Sequence, residues 1–273
     1  MNAITLRVKN APGFRVDGSK LLPATLADVS SGELPRMVLQ GAGETCALAD
    51  LFDIAIEEAD APALAIEGDA PWLDRIGANM TEGTLVVRGN AGDYAGIKMS
   101  GGQLHIQGDA GAFAACEMQG GRVSIDGDAG DFAASALAGD MEGMTGGTLL
   151  IRGNAGARLA DRMRRGTVLV AGDAGDFAAS RLVAGSVCIG GKVGAHLAYG
   201  MRRGTVLLAN APARIAPTFT EGGHGFDTFW LLFTRMLAKE AAPFSRFAGK
   251  MVPRRYAGDL AVDGRGELLI ANS

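Results

Sequence analysis

Six arginines stand close together late in this chain: Arg162, Arg164, Arg165, Arg181, Arg202 and Arg203. A guanidinium is always charged, and its planar fork of donors matches carboxylates and phosphates, so such a group is suited to holding an anion. From Arg158 to Arg203 there are eight Lys or Arg and three Asp or Glu, a local charge of +5 in a chain whose total is −4. A basic face on an acidic protein points to an anionic partner, and the competing reading is a solvated polar corner.

Other chemistry-bearing residues form no catalytic pattern. His105 lies between Leu104 and Ile106 and is expected to point outward, and neither His196 nor His224 has a partner at zinc-binding spacing. Asp69, Asn90, Asp109, Asp128, Asn154 and Asp173 recur after a glycine, but one carboxylate per 19 residues is too sparse for a calcium cage of six to eight oxygens. Turn chemistry explains them, because Asn and Asp tolerate left-handed backbone and bond neighbouring amides. Neither a Gly-x-Ser-x-Gly elbow nor a P-loop is present. Cys46, Cys116 and Cys188 are odd in number and widely spaced, which suits reduced thiols.

The arginines ride on a repeat. Gly83, Gly102, Gly121, Gly147, Gly166, Gly185 and Gly204 each precede a strand-like run, and they are 19 residues apart except for one gap of 26. The consensus is Gly-x-[Leu/Val]-x-[Ile/Val]-x-Gly-[Asn/Asp]-Ala-Gly. Its aliphatic pairs, from Leu85/Val87 to Val206/Leu208, put two side chains on one face of a short strand. Stacked about 4.8 Å apart, the pairs would become interior columns. Tyr94, Phe113, Phe132 and Phe177 predict an aromatic column, and Met99, Met118, Leu137, Met163, Leu182 and Met201 predict a second. Arg158 and His196 replace the aromatic, and the following Leu159 and Leu197 suggest that the apolar plug has moved by one residue. The insertion Ala138–Met144 is expected to bulge from one corner, where insertions often bind partners.

The expected fold is all-β: a right-handed parallel β-helix of about seven to eight rungs with a 19-residue period. Residues 1–62 are expected to form a β-rich N-terminal cap, residues 63–212 the helix and residues 213–273 a C-terminal helix and hairpin. A degenerate first rung begins at Ala63, and Pro212 marks the end of the coil because it cannot donate a ladder hydrogen bond. Residues 48–56 mix helical and strand spacing. Phe226–Glu240 reads as a helix whose Phe229, Trp230 and Phe233 cover several faces, making them candidates for a subunit interface. Asp259–Val262 and Glu267–Ile270 read as the closing hairpin. The acidic balance argues against nucleic acid, and no apolar run reaches the ~20 residues of a membrane span. The N-terminus lacks signal-peptide features, so a cytoplasmic location is expected.

The motif in Gly101–Gly130 and Gly146–Gly175 resembles the C subunit of formylmethanofuran dehydrogenase and the homologous C subunit of the bacterial formyltransferase/hydrolase complex. The tail Arg255-Tyr256-Ala257-Gly258-Asp259-Leu260-Ala261-Val262-Asp263-Gly264 is most similar to the bacterial form. A more distant resemblance is to the C-terminal β-helix of glutamate synthase. The first resemblance implies a structural subunit without its own active site, assembled with A, B and D type subunits. That complex would move a formyl group from formyl-tetrahydromethanopterin to a methanofuran-type cofactor and release formate. Catalysis would belong to the A and D type subunits, with metals in the A type, and the arginines could hold an acidic neighbour or a polyglutamate-like cofactor tail. Two other readings stand beside it: a glutamate-synthase-like spacer, and a β-helix enzyme with a polar groove.

Overall fold

A strand of four residues is not stable alone, and here each is completed by its counterpart in the next repeat. The computed structural model describes residues 2–223, 226–240, 242–245, 247 and 252–271. The chain opens with β1 (Asn2–Val8), β2 (Val16–Asp17), α1 (Pro23–Ala27), β3 (Val38–Gly41), β4 (Thr45–Ala47), α2 (Leu48–Leu51) and β5 (Phe52–Glu58). The repeats supply β6 (Ala63–Glu67), β7 (Leu73–Asp74), β8 (Thr84–Arg88), β9 (Gln103–Ile106), β10 (Arg122–Ile125), β11 (Thr148–Ile151), β12 (Thr167–Val170), β13 (Ser186–Ile189) and β14 (Thr205–Leu208). Then follow β15 (Thr220–Glu221), α3 (Asp227–Glu240), α4 (Ala242–Ser245), β16 (Arg254–Gly258) and β17 (Gly266–Ile270).

β6 and β8 to β14 pair in parallel, each with the next. The register keeps like on like: Leu85 lies beside Leu104, Leu104 beside Val123 and Val123 beside Leu149. Both aliphatics of every pair are buried, and burying each contributes roughly 1.5–3 kcal/mol. Ala70, Ala91, Ala110, Ala129, Ala155 and Ala174 form a second line of parallel bridges. At the turns between, the Asp or Asn side chain of one rung accepts the backbone N–H of the next. Asn90 accepts from Asp109 at 2.7 Å, Asp109 from Asp128 at 2.8 Å and Asn154 from Asp173 at 2.9 Å. A second ladder not foreseen from the sequence joins Asp74 to Asp93, Asp93 to Ala112 and Asp176 to Ala195 in the same way.

The stack extends beyond the repeats at both ends. β1 runs parallel to β6 before β5 pairs with it antiparallel, so Ala63 does not open the ladder. Beyond Pro212, β17 returns parallel to β14, and β16 then caps it antiparallel. Among the described residues one sheet of 13 strands therefore runs through all three expected segments. The closing hairpin is β16 with β17: residues 260–262 are instead a short 3-10 turn, because the Asp259 carboxylate accepts from Ala261 N at 3.0 Å and ends the strand before it. Residues 48–56 divide into α2 and the start of β5.

Two column assignments are corrected. Met144, three residues before Gly147, is the fully buried member of the methionine column, whereas Leu137 is half-buried against the outer cluster of Ala78, Ile97 and Cys116. The seven extra residues therefore precede the column position. The aromatic column is not interior. Tyr94, Phe113, Phe132 and Phe177 sit half-buried at left-handed backbone with φ from 59° to 62°, on an outer corner. Tyr94 stacks on Phe113 at 4.9 Å and Phe113 on Phe132 at 4.8 Å. Arg158 lies between Phe132 and Phe177, 5.8 and 4.9 Å from their centroids, and His196 stacks on Phe177 at 4.5 Å. These two substitutes continue the stack, since a guanidinium and an imidazole both pack flat on a ring. Leu159 and Leu197 occupy the inward position that Ala95, Ala114, Ala133 and Ala178 hold elsewhere, so no plug has moved.

α3 packs on the outer face of the sheet. Its buried residues Trp230, Phe233, Thr234 and Leu237 follow helical spacing and, with the hydroxyl of Thr234 satisfied by Trp230 O at 2.9 Å, form one stripe. The apolar members meet Leu150, Leu169, Cys188, Leu207 and Leu269. Among the described residues no helix is long and apolar enough to cross a membrane.

Candidate functional site

The loops between the Ala-lined turn and the following strand carry the arginines. Arg162 and Arg181 occupy equivalent left-handed positions, with φ of 58° and 53°, and the backbone N–H of each bonds the next rung. That backbone directs the side chains outward from one corner. Arg164 and Arg202 occupy another equivalent position two rungs apart, each bonding the preceding rung's methionine-column carbonyl, Met144 O and Leu182 O.

These four arginines line one cleft of about 530 Å³. Its other walls are Met141 and Glu142 from the insertion, Val183, Tyr199 and Gly200 from the coil, and Asp259, Ala261 and Val262 from the C-terminal turn. Arg165 and Arg203, exposed at the position of the first glycine in Gly101-Gly102, lie outside it. Four of the six arginines thus share one cleft, and two stand apart from it.

The arginines differ in their present partners. Arg181 is fixed by Asp161, which is 4% exposed, through Nε at 2.9 Å and a second bond from Nη2, while Ser180 Oγ donates to the same carboxylate at 2.6 Å. A carboxylate this buried requires such partners, so Arg181 is largely neutralised. Asp161 falls where Ile97, Cys116, Ser135 and Ser180 stand in other rungs, a charged residue among uncharged ones that could have signalled the pair. Arg164 holds Glu142 in an ion pair whose side chains are half-exposed, and Arg162 donates to the Asp140 carbonyl. Arg202 has no ion pair among the described residues.

Asp259 forms the far wall and is 4% exposed. Burial would raise its carboxyl, but the Thr218 side chain and the N–H groups of Gly200 and Ala261 outweigh this and hold it below the ordinary value. It is therefore ionised and satisfied, a wall rather than a base. The contributions of Asp259 to Val262 were not legible from the repeat, because that turn reaches the cleft through the β14–β17 pairing.

The remaining candidates lie apart. His105 Nε2 meets Asp126 at 2.9 Å on the outer sheet face, and Arg152 pairs with the same Asp126. His196 is exposed at the end of the ring stack, and His224 lies outside the described residues. Burial pushes Cys116 up to about 12 and raises Cys188 further, so neither is a reactive thiolate. Among the described residues no group of three or more His, Cys, Asp or Glu is placed to hold a metal. On α3, Trp230 and Phe233 are covered by the chain itself, 4% and 6% exposed, whereas Phe229, Leu231, Leu232 and Met236 face outward.

The GXGXG motif family profile matches residues 74–220. The chain is 41% identical over 88 residues to the C subunit of the formyltransferase/hydrolase complex Fhc of Methylorubrum extorquens, covering 32% of each. It is 31% identical over 94 residues to the C subunit of the tungsten-containing formylmethanofuran dehydrogenase 2 of Methanococcus maripaludis, covering 34% of this chain and 35% of that one. These alignments span about a third of the length of the curated relatives. A chain in the crystal structure of the formyltransferase/hydrolase complex (FhcABCD) from Methylorubrum extorquens, in complex with methylofuran, superimposes with a TM-score of 0.88 at 39% identity. That match covers 98% of this chain and 100% of the other.

Proposed function

We propose a scaffold role, on the premise that the chain belongs to the family of formylmethanofuran dehydrogenase C subunits and carries its GXGXG-motif repeats. It acts as a non-catalytic assembly subunit of a hetero-oligomeric formyltransferase/hydrolase complex with A, B and D type partners. That complex moves a formyl group from formyl-tetrahydromethanopterin to a methanofuran-type cofactor and releases formate. The near-complete superposition on a chain of such a complex is the observation that carries this reading. The repeat is taken as a right-handed coil of about seven to eight rungs with a 19-residue period. Support comes from the in-register parallel pairing and from the strong right-handed preference of parallel crossovers.

Within that role, the arginine cleft holds a chain of carboxylates, either the polyglutamate-like tail of the furan cofactor or an acidic segment of a neighbouring subunit. Guanidinium forks at successive rungs suit repeated carboxylates better than one compact anion. Phe229, Leu231, Leu232 and Met236 on α3 supply an apolar contact surface for another subunit. Replacing Arg162, Arg164 and Arg202 together with alanine is expected to reduce cofactor retention or subunit assembly, measured on the complex purified from the native host. Unchanged cofactor content and unchanged subunit stoichiometry would sink the arginine assignment. Turnover by the isolated, metal-supplemented chain would favour a β-helix enzyme instead.

A further inference from the structure

The seven-residue insertion supplies more than a wall to the cleft. Residues 138–142 are exposed, Met141 is 75% exposed, and a Cβ placed on Gly139 would meet nothing within 4 Å, so this segment stands clear of the coil. Met144 and Gly143 anchor its end: Met144 is fully buried, and Gly143 N bonds Arg162 O at 2.9 Å. The clear segment is held across the cleft by two arginine contacts, Arg164 to the Glu142 carboxylate and Arg162 to the Asp140 carbonyl.

We propose that Glu142 is a built-in competitor for the cleft, a tethered carboxylate that occupies Arg164 until a ligand carboxylate displaces it. This rests on the reading of the cleft as a polycarboxylate site. The four arginines then act in sequence. Arg181, committed to buried Asp161, shapes the wall. Arg202, without an ion pair among the described residues, meets the first carboxylate. Arg164 and Arg162 become available only when the 138–142 segment swings away. Exchange of one carboxylate for another at Arg164 conserves charge and hydrogen bonds, and an exposed ion pair of this kind contributes little, so the latch is easily displaced. A single carboxylate engages only Arg202, whereas a chain of several gains all three, which makes the segment a filter for length.

The test uses the full chain and a fluorescent hexaglutamate peptide, with affinity read by anisotropy at low salt. Glu142→Gln is expected to bind roughly two- to fivefold more tightly, the size an exposed ion pair can contribute. Asp140→Asn removes the same charge from the same segment without touching the arginine contact, which uses the Asp140 carbonyl, and is expected to change affinity much less. Acetyl-glutamate amide, with one side-chain carboxylate, should show no gain from Glu142→Gln. Equal affinities of wild type and Glu142→Gln, with binding abolished by Arg202→Ala, would overturn the competitor while leaving the site intact. Equal tightening by Asp140→Asn would also overturn it, because a general charge effect would then suffice. No binding by either wild type or Glu142→Gln would overturn both the competitor and the polycarboxylate site.

Discussion

The outer face of the long sheet is two surfaces in one. On β8, β9 and β10 the residue between the two buried aliphatics is Val86, His105 or Ser124, half-buried and open on the solvent side. On β11 to β14 the same position is Leu150, Leu169, Cys188 or Leu207, all at most 1% exposed beneath α3 and its neighbours. The interior columns are alike in both halves, so the repeat alone builds the coil. The change at one position per rung decides where the coil is covered. Arg122 marks the frontier, pairing with Glu240 at the end of α3 at 2.5 Å. The proposed site follows the same division: the arginine cleft, the insertion and the C-terminal turn all belong to the covered half.

The largest expected effect separates these surfaces directly. Leu169→Asp would bury an unpaired charge and should destabilise the fold by about 3–5 kcal/mol in urea unfolding. Val86→Asp, at the same repeat position in the open half, should cost at most about 1 kcal/mol. Equal losses would erase the distinction.

A second contrast lies at the turns. A Cβ on Gly120 would sit 2.3 Å from the Ser100 carbonyl oxygen, so Gly120→Ala should cost roughly 1–3 kcal/mol. At the equivalent place in the covered half the chain already carries Ala184, and Ala184→Gly should change thermal stability by less than about 1 kcal/mol. The glycine requirement holds at β9, β10 and β11, where a Cβ on Gly101, Gly120 or Gly146 would lie 2.1, 2.3 or 2.2 Å from a carbonyl oxygen of the preceding rung, whereas Glu82, Arg165, Ala184 and Arg203 stand at this position in the other rungs.

Asp259 ties the covering turn to the coil. Its folded carboxyl lies below its ordinary value of 3.8, so its stabilisation is complete above that value and is lost as pH falls through the depressed one. Asp259→Asn should therefore destabilise the chain at neutral pH, by about 1–3 kcal/mol, and flatten the acid limb of the stability curve. An unchanged acid limb would mean that the wall is held by other contacts.

The gentlest probe is thiol labelling. Cys46, half-buried in the cap, should react first, while Cys188 beneath α3 and Cys116 at the corner should react only on opening. Rapid labelling of Cys188 in the folded chain would show that α3 covers the sheet only loosely.

Much of this was legible in the spacing. The paired aliphatics, the Asn and Asp turns and the position of α3 follow from periodicities of two, 19 and 3.6 residues. The covered face was written in Leu150, Leu169, Cys188 and Leu207, but apolar residues inside a strand read as strand formers until their rows are compared. Counting from the preceding aromatic put Leu137 in the methionine column; counting back from Gly147 finds Met144. The moved plug was inferred because hydrophobicity does not reveal a left-handed backbone that turns a ring outward. The Asp259 wall depends on a strand pairing between residues more than 50 positions apart, beyond any local pattern.

The central claim is that this coil is a scaffold within a larger assembly. An affinity-tagged chain expressed in its native host, purified gently and resolved by native mass spectrometry, tests it directly. Stoichiometric recovery of A, B and D type subunits, with formyl-transfer activity in the assembled fraction, is the predicted result. A chain recovered alone, carrying catalytic turnover of its own, would contradict the account.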